Sequence, residues 1–155
     1  QAYADIQEKQ VSHALEQVTL DIIISTGLVS ILVSHAPEYY YNSSLAHCVY
    51  YGSTVTANGH KHRHGEVVAL GVLCLMTFEK NDEERERIAR FNMRLGLPVC
   101  FDDVEISEDE FDAMADKAMT TTEWQFNPKS EHITKENFIQ CMIDENAFGR
   151  AFKNR

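Results

Sequence analysis

The fold is decided by residues 65–80, which read GEVVALGVLCLMTFEK. At 3.6 residues per turn, the apolar side chains of this stretch surround a helix axis on most sides; they are Val67, Val68, Leu70, Val72, Leu73, Leu75 and Met76. A helix that is apolar nearly all round has to be covered by other elements. The stretch therefore predicts a buried central helix with other helices packed around it.

The rest of the chain also has helical spacing and helix end signals. A first helix is predicted over residues 2–17, with a continuation through 20–33, and then a break at Pro37, 39–41 and Asn42. Ser43 or Ser44 is the predicted N-cap of a helix over 45–52, and a polar loop follows over 53–63.

Three further helices are predicted. The first covers 82–95, the second follows the capping pair Ser107 and Glu110, and the third begins at Thr134. Their predicted inward faces are Ile88, Phe91 and Leu95; then Phe111, Met114, Ala115 and Ala118; and last Phe138, Cys141, Met142, Phe148 and Phe152. No strands alternate with these helices, so the prediction is an all-α multi-helix bundle in a single domain over residues 1–155.

Composition and charge narrow the classes of function. Acidic residues outnumber basic ones by 24 to 14, and a formal charge of −10 would repel nucleic acids and anionic lipid. The apolar run 20–33 is shorter than the roughly 20 residues that span a bilayer, so we expect a soluble, cytoplasmic protein with no membrane partner. The four cysteines have no close C-x-x-C spacing and are predicted to be reduced; they are Cys48, Cys74, Cys100 and Cys141.

The residues that could bind a metal or take part in catalysis are concentrated between 47 and 66. His47 falls on a predicted helix, and His60, His62 and His64 follow in or just after the loop. Neutral imidazoles are good zinc ligands, and Gly65 would allow a tight turn after a ligand at 64. Histidines in a loop are also commonly solvated, and a helical histidine is often only hydrogen-bonded in a core, so spacing alone leaves metal binding open.

The same region carries a family resemblance. Residues 44–52 read SLAHCVYYG, 64–73 read HGEVVALGVL, and 94–98 read RLGLP. Together they resemble glycerol dehydrogenases of the iron-containing alcohol dehydrogenase superfamily. The resemblance implies the all-helical carboxyl-terminal domain of that dehydroquinate synthase-like fold, with His47 and His64 as ligands of a divalent metal, zinc in glycerol dehydrogenases. It also implies NAD bound by a Rossmann-like domain that these 155 residues lack.

This sequence departs from the family pattern at the third metal ligand, which is an aspartate in a Gly-x-Gly-Asp motif. No such motif occurs here, and Asp5 and Asp21 have unrelated surroundings. The expectation is thus the carboxyl-terminal part of an NAD- and metal-dependent polyol oxidoreductase, which in the parent family converts glycerol to dihydroxyacetone. With a weak or incomplete metal site, and with no catalytic or NAD-binding residue of its own, it is expected to be inactive by itself.

Several alternatives remain open at this point. The chain could be a non-catalytic helical interaction or scaffold module, or a metal buffer built on His60 and His62. Glu66 could orient a ligand or act as a charge at a helix N-terminus. The expected partners are a second copy of the chain, a complementing NAD-binding chain and a small polyol. The tyrosines at 39–41 could line a substrate entrance or a surface covered by another domain.

Overall fold

A computed structural model describes residues 1–33, 44–126 and 132–155 of the chain. These residues form helices and turns and contain no β-strand, which confirms the predicted all-α fold. They belong to two compact units, Gln1–Tyr41 and Asn42–Arg155. The predicted break at Pro37 to Asn42, the tyrosines at 39–41 and the alternative cap Ser43 lie outside the described residues.

In the described residues of the first unit, 1–33, there are two helical segments where the sequence predicted one. The first helix, α1, is Ala2–Gln7, and the chain leaves helical geometry at Lys9, whose φ is 55°. A second helix, α2, begins at His13, where the Ser12 hydroxyl accepts the backbone N–H of Leu15 at 3.2 Å. The prediction of one helix over 2–17 is wrong because Ser12 caps a new helix in the middle of it.

From His13 the chain then stays helical to Val33. The helix α2 (His13–Leu20) leads into a π-helical segment, Asp21–Thr26, and then into α3 (Gly27–Val33). Nine large apolar side chains along this segment are exposed: Val18, Leu20, Ile22, Ile23, Ile24, Leu28, Val29, Ile31 and Leu32.

This continuous helix overturns the length argument drawn from residues 20–33. The span His13–Leu32 is 20 residues long, which by length and composition is enough to cross a membrane. It is the one such helix in the described ranges. Because core helices of soluble proteins and amino-terminal signal sequences meet the same criterion, it assigns no membrane by itself.

The described residues of the second unit form six α-helices. They are α4 (Leu45–Ser53), α5 (His64–Phe78), α6 (Asp82–Leu95), α7 (Phe111–Met119), α8 (Thr122–Gln125) and α9 (Lys135–Lys153). Short 3₁₀ turns lie between them at Gly59–Lys61, Phe101–Val104 and Glu108–Glu110. The helix α5 packs against α4, α6 and α9, and its Val67, Leu70, Leu73 and Cys74 are fully buried, which confirms the predicted central helix.

The helices α4 and α5 touch backbone to backbone at Gly71. A β-carbon placed on Gly71 would lie 2.4 Å from the carbonyl oxygen of Ala46, a distance that real β-carbons do not adopt. Glycine at this position is therefore what lets the two axes come together. His47 follows Ala46 directly, so this contact also determines how close the site residues of the two helices lie.

The inward face of α6 differs from the prediction. Phe91 is 56% exposed, whereas Ala89 and Asn92 are buried. Asn92 is held inside because its side-chain amide donates to the carbonyl oxygen of Pro98 at 3.1 Å. The prediction about α7 is confirmed, since its four predicted core residues are all buried, and all four cysteines are buried free thiols.

Candidate metal site

The first site residue, His47, is held at the start of α4 by the residue that caps the helix. Ser44 is the N-cap, and its hydroxyl accepts the backbone N–H of His47 at 3.4 Å. The same hydroxyl oxygen lies 3.0 Å from Nδ1 of the His47 ring, within hydrogen-bonding distance. A hydrogen bond at Nδ1 orients the ring and leaves Nε2 as its coordinating atom.

The second site residue, His64, is the first residue of α5 and faces His47. The two ring centres are 5.5 Å apart and the ring planes are tilted by 39°. Tyr50 packs edge-on against His64, with 4.1 Å between ring centres. Two imidazoles on one tetrahedral zinc ion, each bonded at about 2.0–2.1 Å, would have centres roughly 5 Å apart, so the observed spacing suits a shared ion.

The electrostatics around His47 favour its neutral imidazole. Burial lowers the pKa of His47 below its usual value, and the nearby His64 lowers it further. The negative charge of Glu123 acts in the opposite direction on the same pKa. A histidine must be unprotonated to bind a metal, so a lowered pKa keeps His47 in its binding form at neutral pH.

The other two histidines of the cluster do not join the pair. His62 lies between two carboxylates, with Nδ1 3.8 Å from Glu66 and Nε2 3.8 Å from Glu105. Across the described residues no group of three or more His, Cys, Asp or Glu side chains is arranged to hold a metal ion. The described residues therefore contain no three-ligand site that includes His60 or His62.

The start of α5 also decides the roles of Glu66 and Gly65. A carboxylate oxygen of Glu66 accepts the backbone N–H of Arg63 at 3.1 Å, so Glu66 acts at the helix N-terminus. Gly65 lies within the first turn of α5 with open space around its β-carbon position, and its φ is not positive. The tight turn expected at Gly65 is therefore wrong.

One charged residue near the pair was missed from the sequence. Glu123, on the four-residue helix α8, is only 4% exposed, and α8 packs against α4. Nothing in the stretch around it, TTTEWQF, has ligand spacing. Its proximity to His47 is produced by the packing of α8 on α4.

Comparisons with known proteins find relatives of this helical chain among glycerol dehydrogenases. The chain matches no model of a protein family. It is 29% identical to a glycerol dehydrogenase of Thermotoga maritima over 99% of its own length and 41% of that protein's. It is 27% identical to a glycolaldehyde reductase of Halobacterium salinarum over 71% of its length and 31% of that protein's.

A solved structure supports the same assignment. It is that of a probable glycerol dehydrogenase from Sinorhizobium meliloti 1021, with a TM-score of 0.64 and 31% identity over 70% of this chain and 32% of that one. The class is therefore that of helical domains related to dehydrogenases. Within it, the chain is glycerol dehydrogenase-like and matches the carboxyl-terminal portion of those proteins, spanning less than half the length of these relatives.

Proposed function

We propose that these residues are the helical, metal-binding part of an NAD-dependent polyol oxidoreductase, with His47 and His64 as metal ligands. The observation that carries the proposal is the 5.5 Å spacing of the two rings across the α4–α5 contact. The similarity to glycerol dehydrogenases supports glycerol as the model substrate, with dihydroxyacetone as its product. A divalent ion such as zinc would supply Lewis acidity toward an alcohol oxygen of the polyol.

In this proposal the chain's own residues bind the metal ion and orient the two ligand rings. Ser44 positions the His47 ring through Nδ1, and Tyr50 supports the His64 ring from its edge. Residues 1–155 contain neither a G-x-G-x-x-G motif nor the Gly-x-Gly-Asp motif. We therefore expect NAD to be bound by another domain or a second chain, and we expect no NADH production from these residues alone with glycerol and NAD⁺.

Zinc binding tests the proposal directly. Isothermal titration of the chain with ZnCl₂ at pH 7.5 should give one site, and His47→Ala and His64→Ala should each weaken it by more than about tenfold. His60→Ala is the matched control, since it removes a histidine of the neighbouring loop and should leave the affinity unchanged. Binding that is absent, or that depends on His60 and not on the pair, would refute the proposal.

The second candidate is a helical interaction module that has lost the chemistry. The exposed apolar side chains between Leu20 and Leu32 favour it, because an apolar surface of this kind is usually covered by a partner. Self-association in sedimentation equilibrium, together with no zinc binding at His47 and His64, would support this candidate. Zinc binding at the pair would favour the first.

A further inference from the structure

The helical segment from His13 to Leu32 carries apolar side chains in an ordered row. None of the residues of this segment is buried. Side chains four residues apart form one ridge along a helix, and those three apart are neighbours. The apolar ridge of this segment, defined by that spacing, consists of Leu20, Ile23, Ile24, Leu28 and Leu32. Its exposed apolar surface is therefore continuous along one side of the segment.

The area of the apolar ridge is sufficient for a stable contact with a second copy of the chain. The five side chains are between 46% and 74% exposed. Because a fully exposed Leu or Ile has roughly 200 Å² of accessible surface, the ridge offers about 550 Å² per copy and about 1,100 Å² to a pair. Specific protein interfaces bury at least about 1,000 Å² in total, with apolar side chains at their centre. Two ridges packed against each other reach that area.

The apolar ridge is also self-complementary when two copies run in opposite directions. An antiparallel pair centred on the middle of the ridge brings Leu20 of each copy to Leu32 of the other, and Ile24 to Leu28. The surface around Leu20 is a groove, which is lined by Val11, Leu15, Glu16, Thr19 and Leu20. Leu32 is the most exposed side chain of the ridge, so the groove of one copy can receive it from the other. A two-fold axis makes this contact twice and closes the interface.

The acidic residues of the segment favour this orientation and a protein partner. Glu16 stands four residues before Leu20 and continues the same row. A parallel pair would set the two Glu16 carboxylates opposite each other, whereas an antiparallel pair separates them. Asp21 lies near the middle of the span from His13 to Leu32, and a carboxylate is costly at that depth of a bilayer. The charges therefore favour a second copy over lipid as the covering surface.

We infer that this segment is a homodimerisation helix, in which the apolar ridges of two copies pack antiparallel. The partner is a second copy of this chain, and each copy contributes the same surface. The ridge belongs to the first unit, whereas His47 and His64 belong to the second. The inference therefore does not depend on zinc binding, and its failure would leave the proposed function untouched.

Sedimentation equilibrium of the 155-residue chain, at about 1 to 100 μM, tests the inference. The unsubstituted chain should show a monomer–dimer equilibrium. Ile24→Glu places a charge at the centre of the ridge and should weaken dimerisation by at least about tenfold. Ile22→Glu is the matched control, because it makes the same exchange at an exposed position on the opposite side of the segment and should leave the dimer unchanged. Circular dichroism of both variants verifies that the helices are retained.

Crosslinking tests the orientation with variants that add no charge. A mixture of Leu20→Cys and Leu32→Cys should form a disulfide-linked dimer under oxidising conditions, because the antiparallel pair brings these positions together. Each variant by itself should form none, and neither should the unsubstituted chain, whose four thiols are buried.

Several results would overturn the inference. A monomer at every concentration would do so, as would a dimer that responds equally to Ile22→Glu and Ile24→Glu. Crosslinking of Leu20→Cys with itself would indicate a parallel pair and exclude the antiparallel one. Flotation of the chain with phosphatidylcholine vesicles would show that lipid covers the ridge instead of a second copy.

Discussion

The Glu145 carboxyl lies in the core of the second unit without a full set of partners. The side chain is 0% exposed, and its Oε1 has no hydrogen-bond partner among the described residues. Its Oε2 accepts a hydrogen bond from the Thr77 hydroxyl at 2.5 Å, and that hydroxyl in turn accepts one from Arg85 at 3.0 Å. Burial raises the pKa of Glu145 from 4.5 to about 7, against the opposing effects of Thr77 and Arg85.

A raised pKa makes folding stability depend on pH with a defined sign. The folded state holds the Glu145 proton more tightly than the unfolded state, so the stabilising contribution is complete below pH 4.5 and is lost as pH rises through about 7. At 1.36 kcal/mol per pH unit, the shift corresponds to about 3 kcal/mol in total. About 2 kcal/mol of that change falls between pH 5.5 and pH 8.

The perturbation that tests this reasoning is Glu145→Gln, which keeps the size of the side chain and removes its titration. Urea unfolding at pH 5.5 and pH 8, both above the pI of 5.1, gives the free energy of unfolding of each form. The stability of the unsubstituted chain relative to Glu145→Gln should fall by about 2 kcal/mol between the two pH values.

Asp144→Asn provides the control, because Asp144 is the exposed neighbour of Glu145 on α9. This variant should follow the pH dependence of the unsubstituted chain. Parallel pH dependence in the unsubstituted chain and in Glu145→Gln would refute the reasoning, since it would mean that Glu145 titrates at the same pH in the folded and unfolded states.

Two more predictions concern close packing and a buried hydrogen bond. Gly71→Ala should lower the free energy of unfolding by about 1–3 kcal/mol and weaken zinc binding, because its β-carbon would collide with Ala46. Gly65→Ala, in open space on the same helix, should raise stability by up to about 1 kcal/mol; equal effects of the two variants would contradict the packing argument. Asn146→Ala should cost about 1–3 kcal/mol, because the buried Asn146 side chain accepts the backbone N–H of Phe101 at 2.9 Å; a loss below about 0.5 kcal/mol would contradict it. Urea unfolding measures all three variants.

Features that depend on local sequence were predictable. The α5 helix is buried because its residues are apolar on most sides, whatever its neighbours are. Ser44 and Thr134 begin helices as predicted, because a side-chain oxygen that accepts an N–H two or three residues later needs no distant partner. The candidate ligands His47 and His64 were found through the local sequence at 44–52 and 64–73.

Other features were decided by which elements pack together. Phe91 has the spacing of a core residue, yet it is exposed, whereas Ala89 and Asn92 are buried and the Asn92 amide donates to the Ala69 carbonyl oxygen of α5 at 3.4 Å. A helical repeat defines which residues share a face, but only the neighbouring helix selects the face that is buried.

The buried acidic residues of the second unit show most clearly which features follow from local sequence and which depend on tertiary packing. The sequence by itself determined an all-helical chain with a pair of histidines 17 residues apart, because helix periodicity, caps and the motif around each histidine are local. Only the tertiary structure placed Glu123 beside His47 and closed Glu145 into the core. Both acids are far along the chain from the groups whose charges they feel, and burial and electrostatic interaction depend on distance in space.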